Sequence, residues 1–215
     1  MATERTKKEK RFWDRFARKY DFFVERFIPV YRELIRIILN DLRTDDMVLE
    51  LGTGTGIIAF EISHKVRKVH ATDISPSMIH AALEKANKNP NRDKIEFSIQ
   101  DAYSLRFNEN MFDVCIVANA LHIMQKPQEA LKEAQRVLKS EGILIAPTFC
   151  HGENIRSRII SRIMGLFGFE AYHKFTIEQF YRFIEESGFK IVKKQIFRGN
   201  PPLVYVVAKP LFCRA

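Results

Sequence analysis

Three glycines alternate through Glu50-Leu-Gly-Thr-Gly-Thr-Gly56, between an apolar run that ends at Leu51 and another that starts at Ile57. A turn this bare of side chains lets a ligand approach the backbone closely. Acids then recur where later apolar runs end: Asp73 after Lys68–Thr72, and Asp101 after Ile95–Ile99. An acid one strand beyond a glycine turn can accept both ribose hydroxyls of a nucleoside. An acid after the third strand can accept a hydrogen bond from an adenine amino group. Together these positions outline a nucleoside with a small charged tail.

Which nucleoside depends on what the turn lacks. A phosphate-binding P-loop needs Gly-Lys-Ser/Thr, and here Gly56 is followed by Ile57-Ile58. A dinucleotide site needs G-x-G-x-x-G, which would put its third glycine at position 57, occupied by Ile57. The nicotinamide-dependent oxidoreductase is thereby disfavoured but left open. A ligand with no phosphate at the turn fits best.

The elements around these residues are those of a parallel sheet. From 47 to 150, compact apolar runs (47–51, 68–72, 95–99, 112–118 and 142–149) alternate with helical periodicity over 56–64, 75–87 and 127–138. Asp73-Ile-Ser-Pro76 ends a strand and begins a helix, with Ser75 as the cap and Pro76 at the first helical position. After 150 the rhythm changes. A basic amphipathic stretch (155–169) precedes a helix capped by Thr176, and the runs 189–197 and 203–208 follow, linked by Gly199-Asn-Pro-Pro202. So short a link makes the last two strands antiparallel neighbours. The spacing predicts seven strands in one domain of 1–215. Its parts are an N-terminal helical cap (1–42), a cofactor-binding core (43–150), an acceptor-side lid segment (151–175), and a last helix with a strand hairpin (176–215).

Glu50-Leu-Gly-Thr-Gly-Thr-Gly56, Asp73, Gln100-Asp-Ala102 and the run Phe112–His122 resemble class I S-adenosylmethionine-dependent methyltransferases, in the UbiE-like branch that acts on small molecules and lipids. The resemblance covers nearly the whole chain and implies a Rossmann-like α/β fold, a mostly parallel seven-stranded sheet with an antiparallel last strand and helices on both faces. It also implies residue roles. Gly52, Thr53 and Gly54 would approach the methionine part of S-adenosyl-L-methionine, and Glu50 its amino group. Asp73 would take the ribose, Ile74 and Met78 would line the adenine, and Asp101 with Ala102 would bind its edge. Asn119 and Leu121 would flank the cofactor, and Tyr20 would cap it.

Methyl transfer is a displacement at a sulfonium carbon, so alignment dominates and no metal is called for. An acceptor that arrives protonated also needs a base. His122, just past the fourth strand, is the candidate, with Tyr20 beside it as a second catalytic candidate; His151, Tyr172 and His173 rank lower. Each has a plainer reading as a packing residue. A cofactor-binding module without turnover is the non-enzyme alternative.

Charge bears on the acceptor. The net charge is +9, and it is uneven: residues 1–40 carry +5, 41–150 carry −2 and 151–215 carry +6. The basic flanks suit an anionic membrane surface, an anionic substrate, or solubility alone. In 155–167, helical spacing gathers Ile155, Ile159, Ile160, Ile163, Met164, Leu166 and Phe167 on one half. Such a helix can lie on a bilayer, cover an apolar acceptor, or simply pack on the sheet. Nucleic acid ranks below a lipid or small apolar acceptor. Asn200-Pro-Pro-Leu203 resembles an amino-methylating signature, but that signature belongs after the fourth strand, where Asn119-Ala-Leu-His122 stands. Three cysteines without metal spacing, no spanning apolar run and a charged start point to a reduced, cytoplasmic setting.

Overall fold

The computed structural model describes residues 10–15, 17, 28–166 and 171–212. The chain divides into two compact units. One reaches up to Arg106 and takes in Phe112–Val114, and the other comprises Phe107–Met111 and the chain from Cys115 on.

In the first unit, helix α1 (Ile28–Asp41) precedes strand β1 (Met47–Leu51), helix α2 (Ile57–Ile62), strand β2 (Lys68–Asp73), helix α3 (Pro76–Ala86) and strand β3 (Ile95–Ile99). β1 pairs in parallel with β2 from Met47↔Lys68 to Leu51↔Thr72, and β2 with β3 from Val69↔Ile95 to Asp73↔Ile99. The order is β3-β2-β1, with the start of β4 (Phe112–Ile116) next to β1. Asp113 on β4 accepts the Met47 N–H at 3.0 Å. Val48, Leu49 and Leu51 are fully buried, as expected of a strand covered on both faces. α1 turns Leu34, Ile35, Ile37 and Ile38 inward. α3 begins as its sequence reads: Ser75 Oγ accepts the Met78 N–H, and Pro76 takes the first position.

The second unit holds the end of β4, helix α4 (Pro127–Val137), strands β5 (Leu138–Ile145) and β6 (Thr148–Phe149), helices α5 (Ile155–Leu166) and α6 (Ile177–Glu186), and strands β7 (Phe189–Phe197) and β8 (Leu203–Pro210). α4 buries Ala130, Leu131, Ala134 and Val137 at helical spacing. α6 carries a full capping box between Thr176 and Gln179. β7 and β8 form the expected antiparallel pair, and β8, buried from Leu203 to Ala208, also pairs antiparallel with β5 and β6.

Among the described residues the strands number eight, not seven. The added one is β6, which continues the line of β5 along β8: Leu144↔Ala208 and Ile145↔Val207, then Thr148↔Val204 and Phe149↔Leu203. Pro147 divides them because it has no N–H to give the ladder. Among the described residues, no helix is long and apolar enough to cross a membrane.

Candidate functional site

The glycine turn is built by backbone conformation. Gly52, Gly54 and Gly56 have φ of 70°, 57° and 84°, a region other residues enter at a cost. Gly56 is also packed tightly, since a Cβ there would meet Phe60 and Phe97 ring atoms at 2.9–3.1 Å. The turn is pinned from below. The Thr53 N–H donates to the Thr72 carbonyl at 2.9 Å, and Thr72 Oγ1 donates to the Glu50 carbonyl at 2.9 Å.

Two buried acids flank this turn. Glu50 is 2% exposed, and Thr53 Oγ1 donates to its Oε2 at 2.6 Å. Burial pushes its carboxyl up to about 8, further than the Thr53 hydrogen bond lowers it, and the nearby Asp73 charge adds to the rise. Asp73, 9% exposed, accepts the Gly54 N–H on Oδ2 and the Ser75 N–H on Oδ1, each at 2.9 Å. Burial raises it to about 6 despite those bonds. Asp73 is thus a brace between the turn and α3, which the sequence reading did not foresee. Asp14 was also missed: its Oδ1 accepts from Ser75 Oγ at 2.6 Å and from the Ser77 N–H at 3.2 Å, at the start of α3.

The other first-unit candidates lie at the same strand ends. Ile74 is half-buried and Met78 is buried on α3. Asp101 and Ala102 are half-buried two residues past β3, and Asp101 Oδ1 accepts the Tyr103 N–H at 3.0 Å. Tyr20 lies outside the described residues. A buried carboxyl that no Lys or Arg among the described residues pairs with, next to a backbone bared by three positive-φ glycines, fits the cationic methionine end of S-adenosylmethionine. Replacing Asp73 by Ala should weaken cofactor binding by about 1–3 kcal/mol, since a ribose acceptor and the brace on Gly54 are both lost. Calorimetric titration checks it, and unchanged affinity removes Asp73 from the site.

In the second unit, Asn119 follows β4 with a positive φ of 52°, its N–H held by the Pro147 carbonyl at 2.8 Å. Leu121 is fully buried and His122 is 1% exposed. Two histidines ranked low in the sequence converge on His122. The His151 ring lies 5.1 Å away between centroids, and the His173 N–H donates to the His122 carbonyl at 3.0 Å. Tyr172 is exposed and accepts from Gln125 Nε2 at 3.2 Å. Burial, then the His151 and His173 charges, hold His122 well below its ordinary value, and burial lowers His151 to about 4. Both imidazoles are therefore neutral at pH 7, each with a lone pair to offer. Among the described residues, no group of His, Cys, Asp and Glu is arranged to hold a metal ion.

The glycine turn, the two acids at the ends of β1 and β2 and the doubly wound strand order are those of a class I S-adenosylmethionine-dependent methyltransferase domain. Residues 49–146 match the family model described as a methyltransferase domain. The chain is also similar to UbiE methyltransferases. It is 35% identical over 136 residues to the ubiquinone/menaquinone biosynthesis C-methyltransferase UbiE of Rhizobium meliloti, a match covering 62% of this chain and 52% of that protein. The chain thus spans about half the length of the curated relative it matches.

Two solved structures share the fold. A SAM-dependent methyltransferase from Methanosarcina mazei superposes with a TM-score of 0.69 at 24% identity, over 81% of this chain and 97% of that one. The [4+2]-cyclase SpnF superposes at 0.72 with 18% identity, over 84% and 81%. At such identities the likeness shows the fold alone. The cyclase is a reminder that chemistry is argued from the site.

Proposed function

We propose that the chain methylates a small, lipid-like acceptor of the quinone type at a membrane surface, using S-adenosylmethionine. The observation that carries this is the buried Glu50 beside the bared glycine turn, within the segment that matches the methyltransferase domain. The name of the UbiE relative supports the choice of a quinone-like acceptor.

The cofactor supplies a methyl group already activated on a sulfonium centre. Glu50, steadied by Thr53, pairs with its amino group while Gly52 and Gly54 let the methionine part lie against the backbone. Asp73 accepts the ribose hydroxyls through lone pairs that its backbone contacts leave over. Ile74 and Met78 line the adenine, and Asp101 and Ala102 hold its edge. His122 takes the proton from an acceptor hydroxyl, a task open to it because burial keeps it neutral.

The test is transfer of labelled methyl from S-adenosylmethionine to a reduced demethylated quinone, with calorimetric titration of the cofactor and of NADH in parallel. Cofactor binding without NADH binding, together with label in the quinone, is expected. NADH binding alone would return the turn to the oxidoreductases, and cofactor binding without transfer to any acceptor would favour a binding module. His122→Gln should lower turnover about 100-fold or more at unchanged cofactor affinity, the range for losing a general base. Undiminished turnover would show that no base acts at this position.

A further inference from the structure

The geometry points to the outer face of α5 as a docking surface for an anionic lipid bilayer. The sequence pattern alone places Ile155 and Ile159 on the apolar half of the helix and leaves open whether it meets a bilayer, an acceptor or the sheet. In the structure they are 74% and 53% exposed. The face turned to the protein is instead marked by Ser157, which is fully buried. Its N–H donates to Asn154 Oδ1 at 2.8 Å, and its hydroxyl lies within hydrogen-bond distance of Asn154 Oδ1 (3.0 Å) and Asn200 Oδ1 (2.8 Å). Arg158 Nε adds a bond to the Gly152 carbonyl at 3.1 Å. These contacts fix the roll of the helix at its start and leave the two isoleucines outward.

What surrounds them decides the partner. Helical spacing sets Ile155, Arg158, Ile159 and Arg162 along one stripe, with Arg156 next to it, and all three arginines are exposed. α5 contains no acidic residue. Asn200 belongs to the link between β7 and β8, where Arg198 is also exposed, as is Ile196 near the end of β7. Branched aliphatic side chains ringed by guanidinium groups match the boundary of an anionic bilayer, where acyl chains lie directly below phosphates. Each such cation near the surface is worth about fivefold in binding. The docking would present the chain to a lipid-like acceptor. It rests on the methyl-transfer reading only for that purpose, because adhesion needs neither cofactor nor turnover.

The experiment is sedimentation of the full chain with vesicles of phosphatidylcholine, with and without phosphatidylglycerol, in the absence of cofactor and acceptor. Binding to the anionic vesicles should be at least tenfold tighter than to the neutral ones and should weaken as salt is raised. The pair I155S/I159S should weaken it about tenfold or more. R156Q/R162Q should weaken it about 25-fold, and thermal melting should stay unchanged because all four side chains are exposed. Failure of the wild-type chain to bind anionic vesicles overturns the proposal, as does binding that survives both pairs. A dimer in solution that I155S/I159S dissolves, without vesicle binding, would assign the face to a second copy of the chain. Methyl transfer to a soluble quinol alongside absent vesicle binding would sink the docking surface and leave the proposed reaction standing.

Discussion

Glu50→Gln is expected to make the free chain more stable and nearly abolish cofactor binding. The sign follows from linkage. In the unfolded chain this carboxyl ionises near its ordinary value of 4.5, whereas in the folded chain burial raises it to about 8. Between those values the folded state holds a proton that the unfolded state has released, so folding grows less favourable as pH rises through that window. At pH 7 the cost is on the order of 3 kcal/mol, an upper figure for a fully buried group. Gln has nothing to ionise and keeps an oxygen for the Thr53 hydroxyl, so the variant should melt higher, most clearly near pH 8. Cofactor affinity moves the other way. The amino group would then be buried against a neutral amide, and breaking such a pair costs about 3–5 kcal/mol, on the order of 100-fold or more in affinity. Wild-type binding at pH 7 should also release about one proton as Glu50 ionises against its partner. Calorimetry in buffers of different ionisation enthalpy counts that proton. A variant that binds normally, or a wild-type titration that releases none, removes Glu50 from the cofactor.

Such a residue also shows why part of this site can be read without a structure. An acid inside an apolar strand, followed by three glycines at alternate positions, conflicts with local stability, and function resolves the conflict. The Ser75-Pro76 helix start, the Thr176 cap and the final hairpin were legible for the same reason, because their signals are confined to a few adjacent residues. What was hidden depends on contacts across the sequence. His151 and His173 lie 29 and 51 residues beyond His122, and a backbone bond and a ring contact, not any spacing, bring them together. A helical wheel correctly groups Ile155 with Ile159, yet it cannot say which side of α5 the protein covers. The bonds of Ser157 to Asn154 and Asn200 decide that. β6 was merged with β5 because one apolar run spans both, and Pro147 interrupts the ladder without interrupting the hydrophobic pattern.

The same convergence makes Gly152 a position where one methyl group should disable the acceptor side. A Cβ on Gly152 would stand 2.2 Å from the Lys174 carbonyl oxygen and 3.0 Å from the carbonyl carbon and oxygen of Phe175. All three are backbone atoms, so no rotamer change relieves the clash. The Gly152 N–H donates to the Phe175 carbonyl at 2.9 Å, which draws the turn carrying His151 against the segment carrying His173. Gly152→Ala must push these stretches apart or strain them. Overpacking of this kind costs about 1–3 kcal/mol, and a rigid backbone neighbour puts this case at the upper end. For a chain of this size that is a fall in melting temperature of roughly 6–12 °C. A displacement of about 1 Å beside His122 is enough to cost on the order of 100-fold in turnover. The contacts that Gly152→Ala disturbs run between Gly152 and Lys174–Phe175 and include none of Glu50, Asp73 and the glycine turn, so cofactor affinity should stay within about twofold. Melting, calorimetric titration and labelled transfer on the purified variant separate these effects. A variant that melts lower yet turns over normally would show that the His122, His151 and His173 cluster serves stability alone. One that folds and binds cofactor normally but transfers no methyl group would place the acceptor beside that cluster.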